Sequence, residues 1–175
     1  MKRLVWMAVV CLVVPMVARA QGSSVDPVSS TLRQVLDRYS KNLVDAAEEA
    51  PTDKYSYHPT PAQMTFGQTM EHVAEVNNFA CSKVADAPAP QQAKVSDTDK
   101  DKLVEGLKAS MDFCKQAFAK LTDAKLGDSV ALGGRQGTRF AAALEVTNDL
   151  IDHYAAIAVY LRLNGLLPPT AQRKQ

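Results

Sequence analysis

The stretch NDLIDHYAAIAVYLRLNGLLPP, residues 148–169, decides the fold. It is apolar and rich in small residues, which is typical of a helix buried inside a protein, and Gly165 is a natural helix stop. Close to its start, however, the same stretch carries Asp149, Asp152 and His153. The architecture and the candidate site therefore both depend on how this helix packs.

Three amphipathic helices precede this one. In each, apolar residues recur at steps of three and four, which is the spacing of one helix face. The first predicted helix runs from Val28 to Glu49, and the fourth runs from Thr138 to Asn164. The second is predicted to begin after an N-cap at Thr65, and the third after an N-cap at Ser96 or Asp97. No convincing alternating strand pattern is present, and GDSVALGGRQG (residues 127–137) is interpreted as a loop. Four such helices predict an all-α four-helix bundle.

The N-terminus has the features of a secretory signal peptide. Two basic residues precede a short apolar run, and a small-x-small cleavage pattern ends at Ala20. We expect residues 1–20 to be removed and residues 21–175 to form one domain that is periplasmic or secreted, with no stable membrane span after cleavage. An uncleaved anchor is the alternative.

The charge balance argues against a nucleic-acid partner. The full chain has 20 Lys and Arg against 19 Asp and Glu, and the predicted signal peptide contains three of the basic residues and no acidic one. The remaining 17 basic against 19 acidic residues give a formal net charge of −2. Proteins that bind nucleic acids usually carry a net basic face.

Removal of the signal peptide leaves two cysteines, Cys81 and Cys114. An even pair in an exported domain favours a disulfide over a metal site or a reactive thiol. The linker of about eleven residues from Ala85 to Val95 is long enough to return along a bundle. Parallel second and third helices would then place both cysteines at nearly the same level. An antiparallel hairpin would separate them by more than a disulfide spans, so a bonded pair implies the crossover.

Polar residues lie where the helical pattern predicts a packed face. Asp149 and His153 are one turn apart, so their side chains can converge, whereas Asp152 projects about 100° away. His72 lies at the border of the apolar face of the second helix. Two imidazoles and a carboxylate on facing helices predict a divalent metal site with open coordination positions. The alternative is a core histidine that is hydrogen-bonded to an Asp partner.

Two other features are interpreted as structural. The segment GGRQGTR (residues 133–139) lacks the Lys-Ser/Thr ending of a phosphate-binding loop and follows no strand. His58, in YSYHPTP, is expected to be a loop residue that packs on tyrosines.

Two long segments resemble a known family. KYSYHPTPAQMTFGQTMEHVAEVNNFACS (residues 54–82) and TRFAAALEVTNDLIDHYAAIAVYLRLNGLLPP (residues 138–169) are similar to the DinB-like superfamily, in a His-x4-Asn helix and a late HY…YLRLNGLLPP helix. The resemblance covers nearly all of the predicted mature chain. It implies a four-helix bundle of up-down-down-up order with a long crossover between the second and third helices.

The resemblance also implies a metal site. Members of this superfamily typically bind a divalent metal through three histidines, one on the second helix and two spaced by four residues on the last. His72 and His153 match two of these positions, Asp149 stands at the third, and Ala155 replaces the usual Gly after HY. Because Asp is a competent ligand, a two-His/one-Asp site for zinc, nickel, manganese or iron is implied. A decayed site is the alternative.

Two functions follow as hypotheses. The first is a metal-dependent enzyme acting on an unknown small molecule, and the second is a non-enzymatic exported binding module with a degenerate metal site. Relatives in the superfamily include thiol-dependent transferases and isomerases, but an exported protein would meet few cytoplasmic thiols. Bundles of this size commonly dimerise through an exposed helix face, so a homodimer is a further expectation.

Overall fold

The computed structural model describes residues 26–172, and the predicted signal peptide lies outside them. The elements in chain order are α1 (Pro27–Glu49), α2 (Phe66–Ala85), α3 (Lys100–Ala119), β1 (Ser129–Leu132), β2 (Arg135–Thr138), α4 (Arg139–Leu163) and α5 (Pro169–Gln172). The four long helices form a bundle, as predicted from the sequence. Between α1 and α2, and between α3 and β1, the chain makes short 3-10 turns.

The start of α1 is capped by a residue that follows α3. The carboxylate of Asp123 accepts hydrogen bonds from the backbone N–H groups of Val28 (3.1 Å) and Ser29 (2.7 Å). These bonds satisfy two of the amides that a helix leaves unpaired at its N-terminus. Arg33 in turn donates to the carbonyl oxygen of Leu121 (2.9 Å). The start of α1 therefore lies beside the end of α3, and the two helices are antiparallel.

Helices α2 and α3 are parallel. Near their N-terminal ends, the hydroxyl of Thr65 lies 3.4 Å from the carboxylate of Asp97. Near their C-terminal ends, Cys81 and Cys114 form a disulfide, with Cα atoms 5.2 Å apart. Two neighbouring helices that begin at the same end require the chain between them to return along the bundle. The long crossover is therefore present, in residues 86–99.

Helix α4 is antiparallel to α2 and parallel to α1. Arg139, the first residue of α4, donates hydrogen bonds to the carbonyl oxygens of Lys83 (3.1 Å) and Val84 (2.8 Å) at the end of α2. Beyond the other end of α4, Gln172 donates to the carboxylate of Glu49 at the end of α1 (2.8 Å). The four helices thus run up, down, down and up, as the resemblance implied.

The loop between α1 and α2 is anchored by Tyr55. Its ring is fully buried against Phe66, with ring centroids 5.0 Å apart, and its hydroxyl donates to the carbonyl oxygen of Ala47 (2.6 Å). Burial, with smaller contributions from nearby carboxylates, raises the pKa of the Tyr55 hydroxyl above its usual range. Tyr55 is therefore part of the core and ties this otherwise largely exposed loop to it.

The start of α3 differs from the prediction. Asp99 is the N-cap, because its side chain accepts a hydrogen bond from the backbone N–H of Lys102 (3.3 Å). Ser96 instead belongs to a turn, in which its carbonyl oxygen accepts from the N–H of Asp99. Asp97 presses its backbone against Gly67 of α2, where any Cβ would overlap the Asp97 carbonyl. The predicted caps were wrong because residues 96–99, Ser-Asp-Thr-Asp, are all residue types that cap helices, and the turn from Ser96 to Asp99 leaves the last of them at the start of α3.

The segment interpreted as a loop contains an antiparallel hairpin. Strands β1 and β2 pair Ser129 with Thr138 and Leu132 with Arg135. Gly133 and Gly134 form the turn with φ values of 52° and 85°, a conformation that glycine adopts at little cost. The strands are only four residues each, too short to show a clear alternation, but the Gly-Gly pair is a recognised hairpin signal.

The core lies between the four long helices. Its largest fully buried side chains are Tyr55, Phe66, Phe118, Leu36, Leu43, Met70, Leu107, Met111, Leu150, Ile157, Val73 and Val146. Within residues 26–172, none of the helices combines the length and the apolar character needed to cross a bilayer.

Candidate metal centre

Helix α2 carries His72 at the edge of the core. Thr65 and Gln68 form a capping box that fixes where the helix begins. About two turns later, His72 lies on the border between the buried and exposed faces, with 36% of its side chain exposed. Its imidazole is thus accessible to solvent while it contacts α4.

Helix α4 supplies Asp149 and His153 from one face. The two residues are separated by one turn, and His153 Nε2 lies 3.2 Å from Asp149 Oδ1. Their side chains are only 16% and 15% exposed, respectively. Asp152 is exposed on the surface of the helix, as its position in the helical repeat predicted.

The three predicted residues converge between α2 and α4. His72 Nε2 lies 3.8 Å from Asp149 Oδ1, and the rings of His72 and His153 meet edge to face with centroids 4.9 Å apart. One nitrogen or oxygen atom from each of the three residues lies within 4.8 Å of the others. Among residues 26–172, no other group of His, Cys, Asp and Glu side chains satisfies this condition for holding a metal ion.

Arg139 fixes the position of α4 against α2. Its guanidinium is largely buried, bonds to the last carbonyls of α2, and pairs with Asp128, with Nη2 3.3 Å from Oδ2. Cationic groups at a helix C-terminus also interact favourably with its dipole. The contact joins the start of α4 to the end of α2, the same two helices that carry Asp149 and His72. Arg139 was not among the residues predicted from the sequence, because an arginine in the first turn of a helix is usually exposed and no motif marks it.

The electrostatics of the cluster favour a charged imidazole when no ion is bound. The hydrogen bond with Asp149 raises the pKa of His153 above its usual value, against the opposing effect of burial. The negative charges of Asp149 and Asp152 add to the increase. Asp149 therefore attracts positive charge, and a metal ion would replace a proton at His153.

The donor set fits a divalent first-row ion. Imidazole nitrogen and carboxylate oxygen are ligands that zinc, nickel, manganese and iron accept. The second carboxylate oxygen of Asp149, Oδ2, is buried and has no hydrogen-bond partner among residues 26–172. A buried charged oxygen without a partner is costly, and a bound cation would balance its charge. The exposure of His72 leaves one side open to further ligands.

The other sequence candidates do not join this cluster. Cys81 and Cys114 are bonded to each other and are not available as ligands. His58 lies exposed in the loop before α2, where its Nδ1 is 2.7 Å from the carbonyl oxygen of Thr60. The glycine-rich segment forms the hairpin and the start of α4, as described above.

Comparison with known proteins places this architecture in a family. The profile of the DinB superfamily matches residues 36–157, which is more than half of the chain and includes all three residues of the cluster. The chain belongs to the DinB superfamily. A comparison with curated protein sequences found no match.

Solved structures agree with the DinB fold. A DinB-like protein from Bacillus subtilis is 20% identical, with a TM-score of 0.66 over 82% of this chain and 99% of that one. A DinB-like protein from Bacillus cereus is 16% identical, with a TM-score of 0.66 over 80% and 95%. A conserved protein from Enterococcus faecalis is 15% identical, with a TM-score of 0.60 over 78% and 96%. At these identities, the similarity establishes the fold alone.

Proposed function

We propose that this DinB-superfamily protein binds one divalent ion through His72, Asp149 and His153, and that it is an exported, metal-dependent enzyme acting on a small molecule. The observation that carries the proposal is the convergence of one donor atom from each residue within 4.8 Å, across two antiparallel helices. Zinc, nickel, manganese and iron are the candidate ions.

The number of ligands supports an enzyme more than a structural metal site. Structural zinc sites are usually closed by four protein ligands, whereas catalytic sites have three and keep a position for water or substrate. Here the three side chains supply three ligands, and the partial exposure of His72 leaves the site accessible. An ion held by these three residues would supply Lewis acidity to a substrate or would lower the pKa of a water molecule. Asp149 and His153 would hold that centre from the buried side.

Export is supported by the disulfide and by the sequence of the N-terminus. A buried bond between Cys81 and Cys114 suits an oxidising compartment. The signal-peptide pattern lies in residues 1–20, which the structure does not describe. N-terminal sequencing of the protein from its native host tests this: we expect it to begin at Gln21, whereas protein that retains residues 1–20 in the cytoplasm would contradict export.

One observation favours a second function, a non-enzymatic binding module with a degenerate metal site. The 3.2 Å contact between Asp149 and His153 already pairs these two residues without an ion. In addition, Asp149 stands where the resemblance implies a histidine. In this case the cluster would be a buried polar network that contributes to stability.

Metal analysis of protein purified without a histidine tag separates the two functions. The first predicts about one ion per chain, which is lost in His72→Ala and in His153→Ala. His58→Ala is the matched control, because His58 is an exposed loop histidine outside the cluster, and it should keep the ion. Metal-free protein after incubation with each of the four candidate ions would refute the first function and support the second.

A further inference from the structure

A cavity lies on the side of α2 that faces α3, beneath the crossover. Its volume is about 300 Å³, and its lining includes Asn78, Gln92, Val95, Leu103, Gly106 and Ala109. None of the three residues of the candidate metal centre lines it. We propose that this cavity binds a small neutral molecule that has an apolar body and an N–H or O–H donor. The proposal does not depend on metal binding.

Gly106 is the first observation that points to a ligand. A glycine inside a helix is destabilising relative to alanine, so such a residue usually has a packing reason. Gly67 has one, because a Cβ there would overlap the backbone of Asp97. A Cβ on Gly106 would meet only the end of the Gln92 side chain, 3.8 Å away. Packing therefore does not require a glycine at position 106, and its missing side chain leaves the cavity open.

The amide groups of Asn78 and Gln92 are the second observation. Asn78 Nδ2 donates a hydrogen bond to Gln92 Oε1 (3.1 Å), which ties α2 to the crossover. The remaining oxygen, Asn78 Oδ1, is buried without a hydrogen-bond partner among residues 26–172. A buried acceptor without a partner is unfavourable. A donor brought by a ligand, with a small rotation of the Asn78 amide, would satisfy it.

The charged groups of the lining do not favour a charged ligand, because they comprise one cationic and one anionic side chain, Lys102 and Glu105. Lys102, at the rim, is paired with Asp99, with Nζ 3.0 Å from Oδ2. The hydroxyl of Ser110 donates to the carbonyl oxygen of Leu107 (2.8 Å) and accepts from Asn77 (3.1 Å). Among the described residues that line the cavity, Asn78 Oδ1 is the buried polar atom without a hydrogen-bond partner, and a donor on the ligand can complete it.

The size of the cavity limits the ligand. Ligand pockets commonly have volumes of about 300–1,000 Å³, so this cavity falls at the small end of the range. It suits a molecule of one or two rings rather than a peptide or a lipid chain. Indole, with an apolar bicyclic body and one N–H, is therefore a suitable probe, and 1-methylindole is the same body without the donor.

The test is an NMR titration of the purified protein with each probe, in which backbone amide chemical shifts are the readout. We expect indole to bind with a dissociation constant of about 1 mM or below, with shifts confined to residues around the cavity. 1-Methylindole should bind about tenfold more weakly, because it leaves Asn78 Oδ1 without a partner. Gly106→Leu should weaken indole binding at least about tenfold, because its side chain fills the cavity.

Two further variants distinguish the cavity from general effects. Gln116→Leu places the same side chain on an exposed position of α3 and should bind indole like the wild type. Asn78→Leu should abolish the preference for indole over 1-methylindole. Failure of indole to bind, or unchanged binding in Gly106→Leu, would overturn the cavity as a ligand site. Equal affinity of the wild type for the two probes would overturn the assigned hydrogen bond.

Discussion

Helix α2 is attached to its neighbours α3 and α4 in different ways. Toward α3, the parallel helices are joined covalently by the disulfide between Cys81 and Cys114. A hydrogen bond from the Asn77 amide to the Ser110 hydroxyl adds a non-covalent link. Toward α4, the antiparallel helices are positioned by the non-covalent contacts of Arg139, and polar side chains lie between them. One side thus provides stability. The other places a carboxylate and two imidazoles where an ion can reach them.

This difference predicts that the two sides can be disturbed separately. A change at the α3 side should lower the free energy of unfolding without changing metal affinity. A change at the α4 side should alter metal affinity, whether or not it alters stability.

The largest effect is expected from removing the disulfide. It closes a loop of 33 residues, and its loss should lower the free energy of unfolding by about 3–4 kcal/mol in the variant with both Cys81→Ala and Cys114→Ala. Denaturant unfolding measures the change, with reduced wild-type protein as a second comparison. Metal binding by the folded variant should equal that of the wild type. Loss of metal binding while the variant is folded would show that the two sides of α2 are coupled.

Arg139→Met should have the next largest effect. The variant leaves the carbonyl oxygens at the end of α2 without their donor, which should cost about 2–3 kcal/mol. Because the same contact joins the two helices that carry the cluster, we expect metal affinity to fall about tenfold as well. Arg135→Met in the hairpin is the matched control, since Arg135 is exposed, and it should change neither quantity. Unaltered metal affinity in a destabilised Arg139→Met protein would show that Arg139 does not position the metal-binding residues.

Asp149→His tests the departure from the family pattern. A third imidazole should strengthen nickel or zinc binding by about tenfold, because these ions accept nitrogen ligands well. Asp149→Asn keeps the shape but removes the charge and should weaken binding. Isothermal titration with each metal measures both changes. The metal hypothesis predicts opposite changes for the two variants, and equal affinities in wild type and both variants would show that position 149 is not a ligand.

The smallest effect concerns the cap of α1, which joins α1 to the segment after α3. Partial desolvation raises the pKa of Asp123, but the hydrogen bonds from Ser29 and Val28, together with Arg33, outweigh it and hold the pKa below the ordinary value of 3.8. The stabilising effect is therefore present above about pH 4 and is lost as the pH falls below the lowered pKa.

Asp123→Asn should accordingly lower the melting temperature by about 2–4 °C at pH 7, and the difference should shrink toward pH 3. Thermal unfolding followed by circular dichroism at several pH values measures it. Metal affinity should stay unchanged, as in the disulfide variant. A difference that grows on acidification would mean that the Asp123 carboxylate does not stabilise the cap.

The sequence predicted what is local or periodic. The long helices follow from their apolar repeats, and the approach of Asp149 to His153 follows from a spacing of one turn. His72 could be placed at the edge of α2 by the same argument. The parallel arrangement of α2 and α3 could be deduced because a disulfide between Cys81 and Cys114 admits one direction only.

What could not be predicted depends on contacts between distant segments. The cap of α1 comes from Asp123, which follows α3 and is 94 residues away from Ser29 in the sequence. The burial of Arg139 requires the end of α2 to be nearby, which no local pattern indicates. The difference between Gly67, which is required by packing, and Gly106, which is not, could not be predicted either. The two helix glycines look alike in the sequence and differ only in the residues that surround them.

The central claim is that His72, Asp149 and His153 jointly bind a divalent ion. Anomalous diffraction from crystals grown with zinc or nickel tests it most directly. We expect one strong peak between α2 and α4, about 2.0–2.2 Å from the ligating atoms of all three residues. Density that shows Asp149 bonded only to His153, with the anomalous peak elsewhere or missing, would contradict the claim.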